Sequence, residues 1–104
     1  MRRFAFLMKL KPGSVAEYKR RHDEIWPELA RVLGEAGISN YSIFLDEESL
    51  TLFAVQEQAD PALSARLREH PIVRKWWDFM APLMEVHPDH EPVVRELTEV
   101  FYLP

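Results

Sequence analysis

The sequence predicts an α+β fold in which four strands form one antiparallel sheet and the helices pack on one face of that sheet. Two observations lead to this prediction. Strand-like and helix-like segments follow one another in the order βαββαβ, which is the order of the ferredoxin-like split βαβ arrangement. The strand-like segments are also apolar on both sides, so the face without helices needs a cover. We therefore expect a homodimer whose open sheet faces pack against each other.

Length and composition restrict the classes of protein that this chain can belong to. Its 104 residues, 47% of them hydrophobic, suit a single compact domain spanning residues 1–104. Acidic residues outnumber basic ones by 17 to 13, which argues against a nucleic-acid partner. No apolar run approaches the roughly 20 residues of a membrane span, and the first residues do not resemble a secretory signal. Because the chain also has no cysteine, we expect a cytoplasmic protein without disulfides, and no membrane partner.

The first half of the chain is predicted as a strand followed by a bent helix. Residues 3–11 alternate in the manner of a strand that is covered on both faces. Ser14 is a candidate N-cap, and Glu17 three residues later completes the pattern of a capping box. Pro27 cannot continue a regular helical hydrogen-bond ladder, so we expect a kink or break just before it. The helix should then resume and stop at Gly37.

The second half of the chain is predicted as a hairpin, two helical segments and a last strand. Asp60 is a candidate N-cap, with Pro61 at the first helical position. The predicted segments are a hairpin over 40–45 and 50–57, helices over 61–69 and 72–84, a loop over 86–92 and a strand over 97–103.

Tyr18 and His22 are the first candidate site residues. Their four-residue spacing places both rings on one face of the first helix, within an otherwise apolar stripe. Both side chains could be ordinary core residues whose polar atoms bond to nearby backbone groups. His22 is nevertheless the strongest candidate for acid–base chemistry, because an imidazole titrates near neutral pH. Its neighbours Arg21 and Asp23 are interpreted as solvated or interface charges, and Asp23 could raise the imidazole pKa if its carboxylate approaches.

Three further aromatic residues are candidates for contacts to a sugar. Trp76 and Trp77 are adjacent, so on a helix they point about 100° apart and cannot both fill one hydrophobic stripe. An indole ring offers a flat apolar face and one N–H donor, which suits a sugar ring. One of them in the core and the other at a subunit interface is the alternative. The phenols of Tyr41 and Tyr18 could hold substrate hydroxyls without adding charge.

The sequence favours neither a metal nor a nucleotide cofactor. His87 and His90 lie in a proline-bounded segment with no third ligand at a recognisable spacing, so we interpret them as surface residues. The three glycines form no phosphate-binding pattern. We therefore expect a site that works without a cofactor.

Four separated motifs, in this order, resemble those of the L-rhamnose mutarotase family: YKRRHDEIWPEL, NYSIFLD, RKWWDFM and the terminal EVFYLP. The resemblance runs from the first strand to the last residue, although residues 58–71 show no pattern that can be matched, and Asp23 stands where the family often has Asn. It implies a small cytoplasmic aldose mutarotase of the dimeric α/β-barrel type. His22 then matches the proton donor of the family, and Tyr18, Tyr41, Trp76 and Trp77 match its sugar-contacting positions.

The resemblance and the residues together predict interconversion of the α and β anomers of L-rhamnose. His22 would act as the acid toward the ring oxygen, and the sequence does not identify the base. A cofactor-free monooxygenase of the same fold class is an alternative, because fold alone does not decide function. A dimeric small-ligand-binding module without turnover is another.

Overall fold

A computed structural model describes residues 2–104 and contains four strands, four α-helices and two short 3-10 segments. The α-helices and strands are β1 (Arg2–Lys9), α1 (Val15–Asp23), α2 (Pro27–Glu35), β2 (Ile38–Asp46), β3 (Thr51–Gln58), α3 (Pro61–Ala65), α4 (Pro71–Met80) and β4 (Arg95–Leu97). The 3-10 segments, Arg66–Glu69 and Ala81–Leu83, follow α3 and α4. No helix within residues 2–104 has the length and apolar character needed to cross a bilayer.

The four strands form a single sheet in the spatial order β2-β3-β1-β4, with every neighbouring pair antiparallel. If α1 with α2, and α3 with α4, are each counted as one interrupted helical unit, the chain order is βαββαβ. The predicted ferredoxin-like arrangement is therefore confirmed.

The core lies between one face of this sheet and the helices. Leu10, Leu52 and Met80 are almost completely buried there, together with Ala54 in the middle of β3. Each fully buried Leu or Met side chain contributes on the order of 1.5–3 kcal/mol relative to an exposed one. The strand residues that are buried in this core, such as Leu52 and Ala54, are therefore the ones that face the helices.

The first helical unit is broken at the predicted place. α1 ends at Asp23, and Pro27 is the first residue of α2. Trp26 precedes it in an extended conformation (φ −60°, ψ 126°), the conformation that a following proline favours. The break separates α1, which carries Tyr18 and His22, from α2.

The predicted capping box at the start of α1 is wrong. Ser14 makes no side-chain hydrogen bond to the first turn, and its backbone is helical rather than extended. Glu17 bonds instead to Arg20 and Arg21, and these hydrogen bonds lower the pKa of its carboxyl to about 2. Two guanidinium groups thus compete successfully for the carboxylate that a capping box requires.

The second helical unit begins as predicted but is divided differently. The Asp60 carboxylate accepts hydrogen bonds from the backbone amides of Ala62 and Leu63, at 3.1 and 3.4 Å. His70 acts as a second cap, because its Nδ1 accepts from the Ile72 amide at 3.2 Å and Pro71 begins α4. The predicted helix over 72–84 ends earlier, at Met80, and continues only as a 3-10 segment.

The predicted last strand over 97–103 is also wrong. β4 covers only Arg95–Leu97 and pairs with β1 through Leu97 opposite Ala5. Because the strands run antiparallel, Glu99 is level with Arg3, and the two side chains form an ion pair at 2.9 Å. The residues that follow pass the end of β1, so they have no neighbouring strand within the described chain with which to form a ladder. Alternating apolar residues alone do not make a strand without that partner.

Strand β2 contains an irregularity that the sequence did not predict. Its register against β3 shifts between Ser39 and Ser42, and Asn40 has a φ of 47°. Such a register shift with one extra residue is a β-bulge.

Candidate active site

A cavity of about 800 Å³ lies between the helix-facing side of the sheet and helices α1, α2 and α4. Its walls are mostly aliphatic and aromatic, as is usual for small-molecule sites. All five residues predicted from the sequence line it: Tyr18, His22, Tyr41, Trp76 and Trp77. The fold therefore brings together side chains from α1, β2 and α4 that are far apart in the chain.

Tyr18 and His22 form one wall of the cavity. Their ring centroids lie 4.3 Å apart with an interplanar angle of 31°, as expected for residues one turn apart on α1. Tyr18 is only 8% exposed and belongs to the core, whereas His22 is partly buried. The Tyr18 ring thus supports the imidazole from one side.

A single hydrogen bond determines the tautomer of neutral His22. Its Nδ1 lies 3.1 Å from the backbone carbonyl oxygen of Tyr18. A carbonyl oxygen can only accept, so Nδ1 must carry the hydrogen. Nε2 is then the nitrogen with a free lone pair, and it is the one that can take up a proton.

Burial lowers the pKa of the His22 imidazole below its ordinary value of 6.5. The hydrogen bond to the Tyr18 carbonyl and the negative charge of Asp23 act in the opposite direction, but their effects are smaller. Asp23 does therefore raise the pKa of its neighbour, without overcoming desolvation. At neutral pH the side chain is an uncharged imidazole.

Tyr18 and Tyr41 supply neutral hydroxyl groups to the cavity. Burial raises the pKa of the Tyr18 phenol, and the proximity of Tyr41 raises it further. Burial also raises the pKa of Tyr41 to about 12, although the residue as a whole remains 39% exposed. Both phenols consequently stay protonated at physiological pH and can donate or accept hydrogen bonds.

The two tryptophans occupy different environments. Trp76 is 8% exposed and meets His22 edge-on, with ring centroids 5.4 Å apart. It also meets Trp26 edge-on at 5.0 Å, an arrangement worth about 0.5–1.5 kcal/mol beyond simple burial. Trp77 is only partly buried, and the Arg74 guanidinium lies 5.0 Å from its ring centroid. Trp76 is thus a core residue as well as a cavity residue, whereas Trp77 is chiefly a cavity residue.

Sequence reasoning missed a charged pair in the cavity lining. The Lys19 ammonium lies 2.9 Å from the Asp23 carboxylate, and both residues line the cavity. Lys19 follows Tyr18 and Asp23 follows His22. The charged pair therefore has the same four-residue spacing on α1 that identified Tyr18 and His22. Arg21, interpreted from the sequence as a solvated or interface charge, packs within the chain: its guanidinium lies 4.0 Å from the Phe79 ring centroid and connects α1 to α4.

His87 and His90 do not line this cavity. Nδ1 of His90 lies 2.9 Å from the Asp78 carboxylate on α4. Across residues 2–104, no group of three or more His, Asp or Glu side chains is arranged to hold a metal ion.

Comparison with known proteins identifies the family. A family model described as L-rhamnose mutarotase matches residues 3–103. The chain belongs to the L-rhamnose mutarotase family. An L-rhamnose mutarotase from Jannaschia sp. (strain CCS1) is 52% identical over 105 residues, with both chains covered completely. One from Listeria monocytogenes is 50% identical, with 99% of each chain covered.

A solved structure agrees with membership of this family, and a second one shares the fold. The crystal structure of an L-rhamnose mutarotase from Formosa agariphila superimposes with a TM-score of 0.93 at 50% identity, covering 100% of both chains. A Chloroflexus aurantiacus protein described as an antibiotic biosynthesis monooxygenase superimposes with a TM-score of 0.50 at 15% identity, covering 99% of this chain and 98% of the other. That second likeness concerns the fold alone.

Proposed function

We propose that this chain is an isomerase that interconverts the α and β anomers of L-rhamnose. The observation that carries the proposal is the cavity itself, in which a neutral imidazole, two neutral phenols and two indoles meet. Membership of the L-rhamnose mutarotase family supports the same activity and substrate. The monooxygenase and ligand-binding alternatives have no comparable support.

The composition of the cavity suits a deoxy-sugar. The indoles of Trp76 and Trp77 offer flat apolar surfaces on which the C–H face of a pyranose ring can stack. L-Rhamnose carries a methyl group in place of one hydroxymethyl group, and aliphatic side chains such as Leu29 and Val73 provide an apolar wall for it. The hydroxyls of Tyr18 and Tyr41 can bond to sugar hydroxyls without introducing charge.

Mutarotation requires only proton transfers and rotation about one bond. A base removes the proton from the anomeric hydroxyl, the bond between C1 and the ring oxygen breaks, and the ring oxygen takes up a proton. Rotation about C1–C2 in the open aldehyde exposes the other face of the carbonyl, and ring closure reverses the proton transfers. The products contain the same atoms and electrons as the substrate, so the reaction balances without an oxidant or reductant.

We propose that His22 enters this cycle as the base, through Nε2. The hydrogen bond from Nδ1 to the Tyr18 carbonyl leaves Nε2 free, and burial keeps the ring neutral. After taking the anomeric proton, the imidazolium is a proton donor, so one nitrogen can both take and return a proton. This order differs from the expectation that His22 starts as the acid. Acid–base groups of this kind contribute roughly a hundred- to ten-thousand-fold in rate.

The phenols of Tyr18 and Tyr41 are proposed to hold and stabilise the substrate. Negative charge develops on the ring oxygen as the ring opens, and a neutral phenol can donate a hydrogen bond to it. Tyr18 lies against the imidazole, which supports a role for its hydroxyl next to the group that takes up the proton.

We further propose that the chain is a homodimer formed by two open sheet faces. Phe44 and Phe53 are paired on β2 and β3, and Phe53 is opposite Leu7 on β1. Phe44 is 64% exposed and Phe53 is 40% exposed, and Leu97 on β4 extends the same apolar surface. A second copy related by a two-fold axis would bury this surface against its equivalent.

The remaining proposals concern location and partners. We propose a cytoplasmic protein that binds no nucleic acid, because the chain has no cysteine and carries a net charge of −4.

The activity is tested by saturation-transfer NMR between the two anomeric proton signals of L-rhamnose. The purified protein, with a chelator present, is expected to transfer saturation well above the rate of the sugar alone. Matched samples with D-glucose show whether the cavity selects the deoxy-sugar. Absence of any increase over the enzyme-free rate would rule out the proposed activity.

A further inference from the structure

The position of Tyr41 in the cavity conflicts with the spacing of a regular strand. Ile38 and Tyr41 both belong to β2 and both line the cavity. Side chains of a strand alternate between the two faces of the sheet, so residues three apart should point in opposite directions. Some irregularity must lie between these two residues.

The register of β2 against β3 identifies that irregularity. Ser39 is opposite Glu57, and Ser42 is opposite Val55. Two residues of β2, Asn40 and Tyr41, therefore stand opposite the single residue Gln56. The extra residue reverses the alternation, so Ile38 and Tyr41 come to the same side of the sheet.

Asn40 has the properties that this bulge needs. Its φ of 47° lies in the left-handed region, which asparagine tolerates better than most residues with a side chain. Its side-chain Nδ2 donates a hydrogen bond of 2.7 Å to Oε2 of Glu57 on the neighbouring strand. The backbone conformation produces the bulge, and the side chain adds one solvent-exposed hydrogen bond across the sheet.

We propose that Asn40 is a positioning residue that directs the Tyr41 phenol into the cavity. This inference rests on the proposed function, because it assigns Tyr41 to the binding of the sugar. Asn40 also lies in the lining of the cavity, but in this proposal it affects the reaction through Tyr41 and not through a side-chain contact of its own with the sugar. A residue that merely stabilised the sheet would act on folding and would not depend on the Tyr41 hydroxyl.

A double-mutant cycle on the full-length protein separates these two roles. Asn40→Val disfavours the left-handed conformation, whereas Asn40→Gly keeps it accessible and removes only the side chain. We expect Asn40→Val to raise the KM for L-rhamnose about three- to tenfold, which corresponds to the loss of one neutral hydrogen bond. Asn40→Gly should change the KM by less than about twofold, because glycine preserves the bulge.

The same substitutions are repeated in a Tyr41→Phe background, where Asn40→Val should no longer change the KM. An equal increase in both backgrounds, or an effect of Asn40→Gly as large as that of Asn40→Val, would overturn the positioning role. If Asn40→Val does not fold, Asn40→Ala replaces it, since alanine lacks the β-branch that makes valine so unfavourable in this region.

A second measurement does not depend on activity. NMR titration of ring-labelled tyrosine follows the Tyr41 phenol, whose signal is identified by its loss in Tyr41→Phe. Its pKa should be about 12 in the wild-type chain and should move toward the ordinary value of about 10 in Asn40→Val. An unchanged Tyr41 pKa in folded Asn40→Val would contradict the inference, whereas failure of wild-type anomer exchange would contradict only the proposed function.

Discussion

At the scale of single residues, one backbone contact determines the tautomer of neutral His22. The sequence identified His22 and Tyr18 from their spacing on α1, and the structure places them against each other in the cavity. The tautomer could not be predicted, because it depends on a hydrogen bond to the Tyr18 carbonyl that becomes evident only in three dimensions. The direction of the pKa shift also depends on burial, which the sequence did not provide.

The pH dependence of anomer exchange tests the state of His22. Burial lowers the pKa of His22 below 6.5, so the neutral base predominates above this lowered pKa and is lost as the pH falls through it. The enzyme-catalysed rate should therefore be constant near neutrality and decrease on the acid side of pH 6.5. The measurement is the NMR exchange rate after subtraction of the enzyme-free rate at each pH, with circular dichroism to verify folding. A rate that rises as the pH falls through this range would instead require protonated His22 at the start.

At the scale of helices and strands, a helix break and a helix cap were predicted correctly from neighbouring residues, whereas a capping box and the last strand were not. Pro27 breaks the helical unit and Asp60 caps α3, as predicted. The capping box failed because Arg20 and Arg21 bind the Glu17 carboxylate. The last strand failed because the tail passes the end of β1, and the sequence does not show where a neighbouring strand ends.

Replacing each tryptophan of α4 by alanine separates core packing from sugar binding. Trp76 packs against Trp26 and Phe79 and is 8% exposed, so Trp76→Ala should lower the free energy of unfolding by roughly 3–5 kcal/mol. Trp77 is less buried, and Trp77→Ala should cost less stability while raising the KM for L-rhamnose through lost stacking. Urea denaturation and exchange kinetics on both variants provide the comparison. Equal losses of stability with an unchanged KM for Trp77→Ala would remove Trp77 from the proposed site.

At the scale of the whole molecule, the sequence anticipated the topology because alternation, turns and helix breaks together restrict the possible arrangements. It also indicated an apolar open face, which the structure shows as exposed phenylalanines on β2 and β3. The bulge at Asn40 was not anticipated, since an extra residue is visible only against the register of β3. The cavity is likewise a property of the assembled fold, built from elements distant in sequence.

The proposed dimer makes a prediction about mass in solution. Sedimentation equilibrium at micromolar concentration should give twice the 12.3 kDa mass of the chain. Phe53→Asp places a charge in the middle of the open face and should favour the monomer. Leu63→Asp is the matched control, because Leu63 is similarly exposed, at 42%, but lies on α3 on the helix side. A wild-type monomer, or equal effects of both substitutions, would contradict the sheet-to-sheet arrangement.

The central claim is that this cavity exchanges the anomers of L-rhamnose through the imidazole of His22. Saturation-transfer NMR on the wild-type chain and on His22→Asn, at equal concentration, tests it most directly. Asparagine retains hydrogen-bonding capacity at similar size but cannot take up a proton near neutral pH. We predict strong transfer between the anomeric protons with the wild type and transfer close to the enzyme-free rate with a folded His22→Asn. Transfer by His22→Asn equal to that of the wild type would contradict the claim.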